Sequence, residues 1–228
     1  MPLIVLLFAV AFAASPLWVT GFGGFDPDQF PVPQLNPPVQ PEGYAFAIWG
    51  VIYLWLIAGA IYGLWKRRDA PAWGAMRAPL ALSLAVGAIW LPVAVRSPVW
   101  ATVLIWMMLV TGLWALWRSP RSDEWAASWP VGLYVGWLSA ASCVAVGLLL
   151  AGYGYSSQSL AAWLMVSVAI ILAWTVQWKL HRAPTYGIAV IWALVAVGVQ
   201  NSFAGVGLLA LAGAAALITP TLRALRGK

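Results

Sequence analysis

Groups able to do chemistry are scarce in this chain and widely spread. It holds one histidine, one cysteine and six carboxylates in 228 residues. A metal site needs clustered His, Cys or carboxylate ligands. His181 instead sits in the turn Lys179–Arg182 beside cations, and Cys143 lies inside an apolar run. Asp26, Asp28 and Glu42 fall in a proline-rich stretch, while Asp69, Asp123 and Glu124 flank apolar segments. No pair is placed for general acid–base work. Axial haem ligation would fall to Cys143 or a methionine, and one cysteine permits no internal disulfide. The chain reads as a non-enzyme that requires no cofactor. Rings are plentiful instead, with seventeen Trp, seven Tyr and seven Phe. Chemistry done with rings is binding, through large buried area and offset stacking.

These rings must be carried by elements suited to lipid. Hydrophobic residues make up 63% of the chain and charged ones 8%, with a mean hydropathy of +0.88. A soluble domain carries about 25% charged residues. The composition predicts an all-α, polytopic transmembrane helical bundle. Apolar runs near 2–20, 44–65, 78–95, 99–117, 130–151, 159–178, 185–200 and 203–219 give eight helices. No charged residue falls inside a run so drawn, which disfavours proton relays and charged ion filters. The first run loosely resembles a signal peptide but lacks a basic start and continues apolar to Val19, so a retained helix is expected.

Charge sets the orientation. Of the twelve Lys and Arg, Arg96 alone falls on one side of an eight-crossing bundle. The positive-inside rule makes the other side cytoplasmic, with both termini there, as in a bacterial inner membrane. The net charge of +6 is thus a topology signal, not a nucleic-acid footprint. Residues 21–43 form the longest connection, with six prolines from Pro27 to Pro41. Proline fixes φ and removes donors, so this stretch should lie extended over the outer face, as a stiff linker or as a lid.

Depth separates the rings into two groups. Trp18, Trp65, Trp100, Trp117 and Trp178 lie near span ends, where an indole suits the membrane interface. Phe46, Trp49, Gly50, Tyr53 and Ile57 share one face of the second span at about 100° per residue. They either fill a bundle interior or wall a flat cavity for a planar or steroid-like ligand. Gly59/Gly63 and Gly132/Gly136 form G-x-x-x-G pairs, suited to close helix packing, to a homodimer or to a membrane-protein partner. Gln177, Gln200 and Asn201 are the amides near the later spans, at helix ends where solvation explains them. They are also the polar groups that a small-solute transporter would use.

Several of these residues fall into ordered motifs. Asn36-Pro37-Pro38 precedes Trp49 and Tyr53; Ile89-Trp90-Leu91-Pro92 follows; then come Pro130, Tyr134 and the run Trp137 to Ser142. In this order they resemble the tryptophan-rich sensory protein family (TspO/MBR, the translocator or peripheral benzodiazepine receptor family), over about residues 1–152. The resemblance implies a TspO-like five-helix core, a proline-rich loop (21–43) folded over its mouth, and an intramembrane pocket for porphyrins, sterols and related hydrophobic ligands. Carried over by motif, Trp49, Tyr53, Trp90, Pro92, Tyr134 and Trp137 would line that pocket, with Phe46 beside them on its helical face. A sensory or transport role follows, with a hydrophobic small molecule such as a porphyrin as the bound ligand. The chain departs from the family pattern at Gly87 and Ala145, where asparagines are common. Residues 153–228 would add about three C-terminal helices and a short basic tail, as in longer relatives.

Overall fold

The computed structural model describes residues 1–19 and 23–226. Its described residues form eight α-helices and no strand: α1 Pro2–Ala14, α2 Ile48–Trp65, α3 Pro71–Ala94, α4 Pro98–Trp117, α5 Ser128–Gly152, α6 Gln158–Leu180, α7 Pro184–Gln200 and α8 Val206–Leu225. Local chemistry starts these helices sharply. Pro2, Pro71, Pro98 and Pro184 occupy first-turn positions, where a missing N–H costs nothing. The Ser97 and Ser157 hydroxyls accept from the N–H groups of Trp100 and Leu160, capping α4 and α6.

Six helices are long and apolar enough to cross a membrane; α1 and α7 are shorter. The first element stops being α-helical at Ala14 and ends as a 3₁₀ turn, Ser15–Leu17, short of the run expected to reach residue 20. Thr20 lies outside the described residues. Helix α7 is short because it is internal: Tyr186, Ala189, Val190 and Ala196 are fully buried, so its length answers to its neighbours rather than to lipid.

Helix α5 is the central strut, packing against α4, α6 and α7 and touching α2. Its glycines explain this position. A Cβ on Gly132 would meet the Thr185 hydroxyl at 2.7 Å, and one on Gly136 would run into the Tyr186 carbonyl, so α5 and α7 approach backbone to backbone. On α2, Gly59 faces the Ala126 carbonyl and Gly63 faces the Trp73 ring. Both G-x-x-x-G pairs are spent inside the chain and are not free to join a second copy. Buried phenols complete the seams. Tyr134 of α5 pairs with the Ser83 hydroxyl of α3 at 2.9 Å, and Ser139 of α5 pairs with the Tyr186 hydroxyl of α7 at 3.0 Å.

Basic residues gather at one end of the bundle, where three arginines do structural work. Helix α3 starts at Pro71 rather than near residue 78, which brings Arg77 inside a helix, 6% exposed. This corrects the expectation of charge-free spans. The Arg77 guanidinium donates to the carbonyls of Gly63, Arg67 and Arg68, capping the negative end of α2. Arg182 does the same for α4, donating to Leu116, Trp117 and Ser119; burial lowers its pKa, and Arg121 adds to that. Arg67 and Asp123 form a two-point ion pair at 2.7 and 3.0 Å, which holds the Asp123 carboxyl below its usual range.

Candidate functional site

At the opposite end lies an apolar cavity of about 80 Å³. Its floor and walls come from one face of α5 (Trp137, Ala140, Val144, Leu148) and from facing residues of α6 and α7, among them Met165, Ala169, Leu194 and Val197. Trp90 of α3 and Ile105 of α4 close one flank. The i, i+3, i+7, i+11 spacing of these four on α5 is what a helix needs to present one continuous face. Small residues opposite leave the gap: Ala169 of α6 and Ala193 of α7 stand where larger side chains would fill it.

The roof is the proline-rich connection. Gly24, Phe25, Val39, Gln40 and Pro41 line the cavity from above, joined by Phe46 in the 3₁₀ turn Gly43–Ala47. This connection is tied to the bundle, which a mere spacer would not be. Gln29 Nε2 donates to the Ala94 carbonyl (2.9 Å), and the Val32 N–H to Gly152 (2.9 Å). The Glu42 N–H donates to Ala196 (3.2 Å), and Asn201 Nδ2 to Pro38 (2.9 Å). Phe30 sits on the bare Cα of Gly152, and Val39 on that of Gly147. Asn201 is thus a roof anchor, not a solvated helix end. Gln177 is likewise engaged, 1% exposed, accepting from the Gly187 N–H and donating to the Arg182 carbonyl.

Six of the seven residues singled out in the sequence divide between two places. Phe46, Trp90 and Trp137 line the cavity. The Phe46 and Trp137 rings meet edge-on at 5.7 Å, and Trp90 Nε1 donates to the Ala101 carbonyl at 2.8 Å, fixing its ring. Trp49, Tyr53 and Tyr134 lie together in an adjoining cluster around Phe12 of α1. Phe12 meets Tyr53 at 5.0 Å and both Trp49 and Tyr134 at 5.6 Å, while Trp49 stacks on Tyr53 at 5.3 Å. Trp49 also touches the edge of Trp137 at 6.2 Å, so cluster and cavity share a wall. Pro92 does not line the cavity; its carbonyl accepts from Arg96 at 3.3 Å.

Phe12 explains one departure from the family pattern. A Cβ on Gly87 would lie 2.8 Å from the Phe12 ring and 3.1 Å from Met108, so an asparagine and Phe12 cannot share that space. Ala145, the other departure, lines the cavity. Among the lining residues the side-chain polar groups are the Gln40 amide, the Trp90 and Trp137 indole N–H groups and the Cys143 thiol, and none carries a formal charge. Sequence reasoning missed Phe12, the α6 and α7 walls and the roof residues Phe25 and Val39. The proline run marked the roof, but nothing local marked which of its side chains point down.

Fold and site together define a polytopic helical membrane protein built around a roofed, apolar chamber. A family model described as TSPO-like protein matches residues 4–223, including the three helices after Gly152, and the chain belongs to that family. Proteins of this class are membrane receptors or transport-type proteins and generally not enzymes. No curated protein and no solved structure matches the chain.

Proposed function

We propose that the protein is a membrane receptor or carrier that binds a hydrophobic, planar small molecule in the cavity between α5, α6 and α7, beneath the proline-rich roof. The observation that carries this reading is the roof itself. Four hydrogen bonds hold an otherwise irregular segment over an uncharged chamber walled by Trp90, Trp137 and Phe46. Flat rings suit edge-on aromatic walls, which supports a porphyrin-like or sterol-like ligand. Drug-sized pockets measure about 300–1,000 Å³, so a cavity of about 80 Å³ admits such a ligand when the roof lifts. The roofed end then faces away from the cytoplasm, and the basic end and both termini face it, in keeping with the charge bias.

The lining favours neutral ligands, because it offers no cation to pair with a carboxylate. Protoporphyrin, its dimethyl ester and a sterol, titrated against the protein in nanodiscs by tryptophan quenching or competition, test this reading. Saturable binding, tighter for the ester than for the free dicarboxylate and weakened by Trp137→Leu, is the expected result. Absence of saturable binding by all three would overturn the proposal.

A further inference from the structure

The arginines of the basic end are not used alike. Arg67, Arg77 and Arg182 spend their guanidinium groups on a carboxylate or on backbone carbonyls. Arg223, in the last turn of α8, donates to no acceptor among the described residues; it lies over the Trp178 ring at 4.1 Å. Trp178 in turn stacks on Trp174 at 4.8 Å and 9°. Lys179 and Arg226 are exposed on the same two helix ends. The acids of this end, Asp69, Asp123 and Glu124, lie instead in the α2–α3 and α4–α5 connections. The result is a planar cation seated over an indole at the basic end of the bundle, its N–H fork without an acceptor among the described residues.

We propose that the adjoining ends of α6 and α8 form a binding site for the headgroup of an anionic phospholipid. Arg223 presents its fork to the phosphate oxygens, a geometry that guanidinium matches and ammonium does not. Lys179 and Arg226 add charge attraction to an anionic leaflet. Trp174 and Trp178 lie along the boundary between headgroup and acyl chain, where an apolar body with a polar edge is stable. The stack restrains Arg223 before the lipid arrives, so less side-chain freedom is lost on binding.

Native mass spectrometry of the detergent-purified protein, incubated with phosphatidylglycerol or with phosphatidylcholine of the same chains, tests this site. The wild type should retain phosphatidylglycerol about tenfold better than phosphatidylcholine, and Arg223→Ala should remove about that factor. Trp178→Leu should weaken retention several-fold with the charge unchanged. Arg223→Lys should fall between wild type and Arg223→Ala, and Arg68→Ala, which removes a charge at the same end with no ring beneath it, should have no effect. Equal loss in Arg68→Ala and Arg223→Ala would overturn the proposal, as would equal retention of the two lipids. Displacement of the lipid by millimolar inorganic phosphate would overturn it too, by showing an anion site indifferent to the membrane. Unchanged melting temperatures in each variant exclude misfolding as the cause of a loss.

Discussion

Releasing the roof should expose Cys143, and the structure sets the size of the effect. Cys143 is the chain's single cysteine, it lines the cavity, and it is 1% exposed. A small neutral thiol reagent such as methyl methanethiosulfonate can reach it when the roof moves. Asn201→Ala removes the side-chain tie to Pro38 (2.9 Å), and Gln29→Ala removes the tie to Ala94 (2.9 Å). A hydrogen bond of this kind contributes about 0.5–1.5 kcal/mol net. With reclosing fast compared with labelling, the labelling rate follows the open population. About 1 kcal/mol per tie then gives a roughly fivefold faster rate for each variant. The ties hold different parts of the loop, so the double variant should multiply to about 25-fold. Labelling is followed by intact-protein mass, with near-ultraviolet circular dichroism confirming that each variant stays folded. If the folded double variant labels at the wild-type rate, the loop is not the barrier and the roof does not gate the cavity.

Two further outcomes follow from the packing and the charges. Gly87→Asn should lower stability by about 1–3 kcal/mol through overpacking against Phe12, and Phe12→Ala in the same chain should recover part of it; purely additive melting shifts would show that the two do not compete for one space. The Asp123 carboxyl has a folded pKa below its unfolded value of about 3.9 because Arg67 hydrogen-bonds to it. Its stabilisation is therefore present above that unfolded value and lost as pH falls through the folded pKa. The melting-temperature gap between wild type and Asp123→Asn should be constant from neutral pH to about pH 5 and narrow steadily as pH falls below about 4; a gap that does not change with pH below about 4 would sink this assignment.

The helical architecture was legible because lipid imposes one simple rule on it. A span must be about 20 apolar residues with its backbone satisfied internally, and the observed helices follow the apolar runs closely. Where the run and helix α3 part, a side chain had found a backbone partner that no hydropathy window sees. Arg77 belongs inside α3 because the open carbonyls at the end of α2 accept from it. The site was half legible. Periodicity placed Trp49 and Tyr53 on an inner face, but whether a buried ring fills space or walls a cavity depends on what lies opposite. For Tyr53 that is Phe12, forty-one positions earlier, and for Trp137 it is the gap left by small residues on other helices. Gln177 and Asn201 were misread for the same reason, since an amide near a helix end looks solvated until the chain that covers it is known.

The seam between α5 and α7 also fixes an order of events during synthesis. Ser139 and Tyr186 are 47 positions apart, and Asn201 lies 163 positions after Pro38. At about 5–20 residues per second, α5 waits on the order of 2–10 s for the helix that covers its glycine groove. It can wait in lipid without cost, because the Ser139 hydroxyl already donates to the Val135 carbonyl of its own turn, at 2.9 Å. The loop over the chamber waits far longer. Its residues leave the ribosome among the first, and its last anchor arrives only at the end of α7, so a ribosome stalled before Asn201 would leave a bundle with its chamber still unsealed.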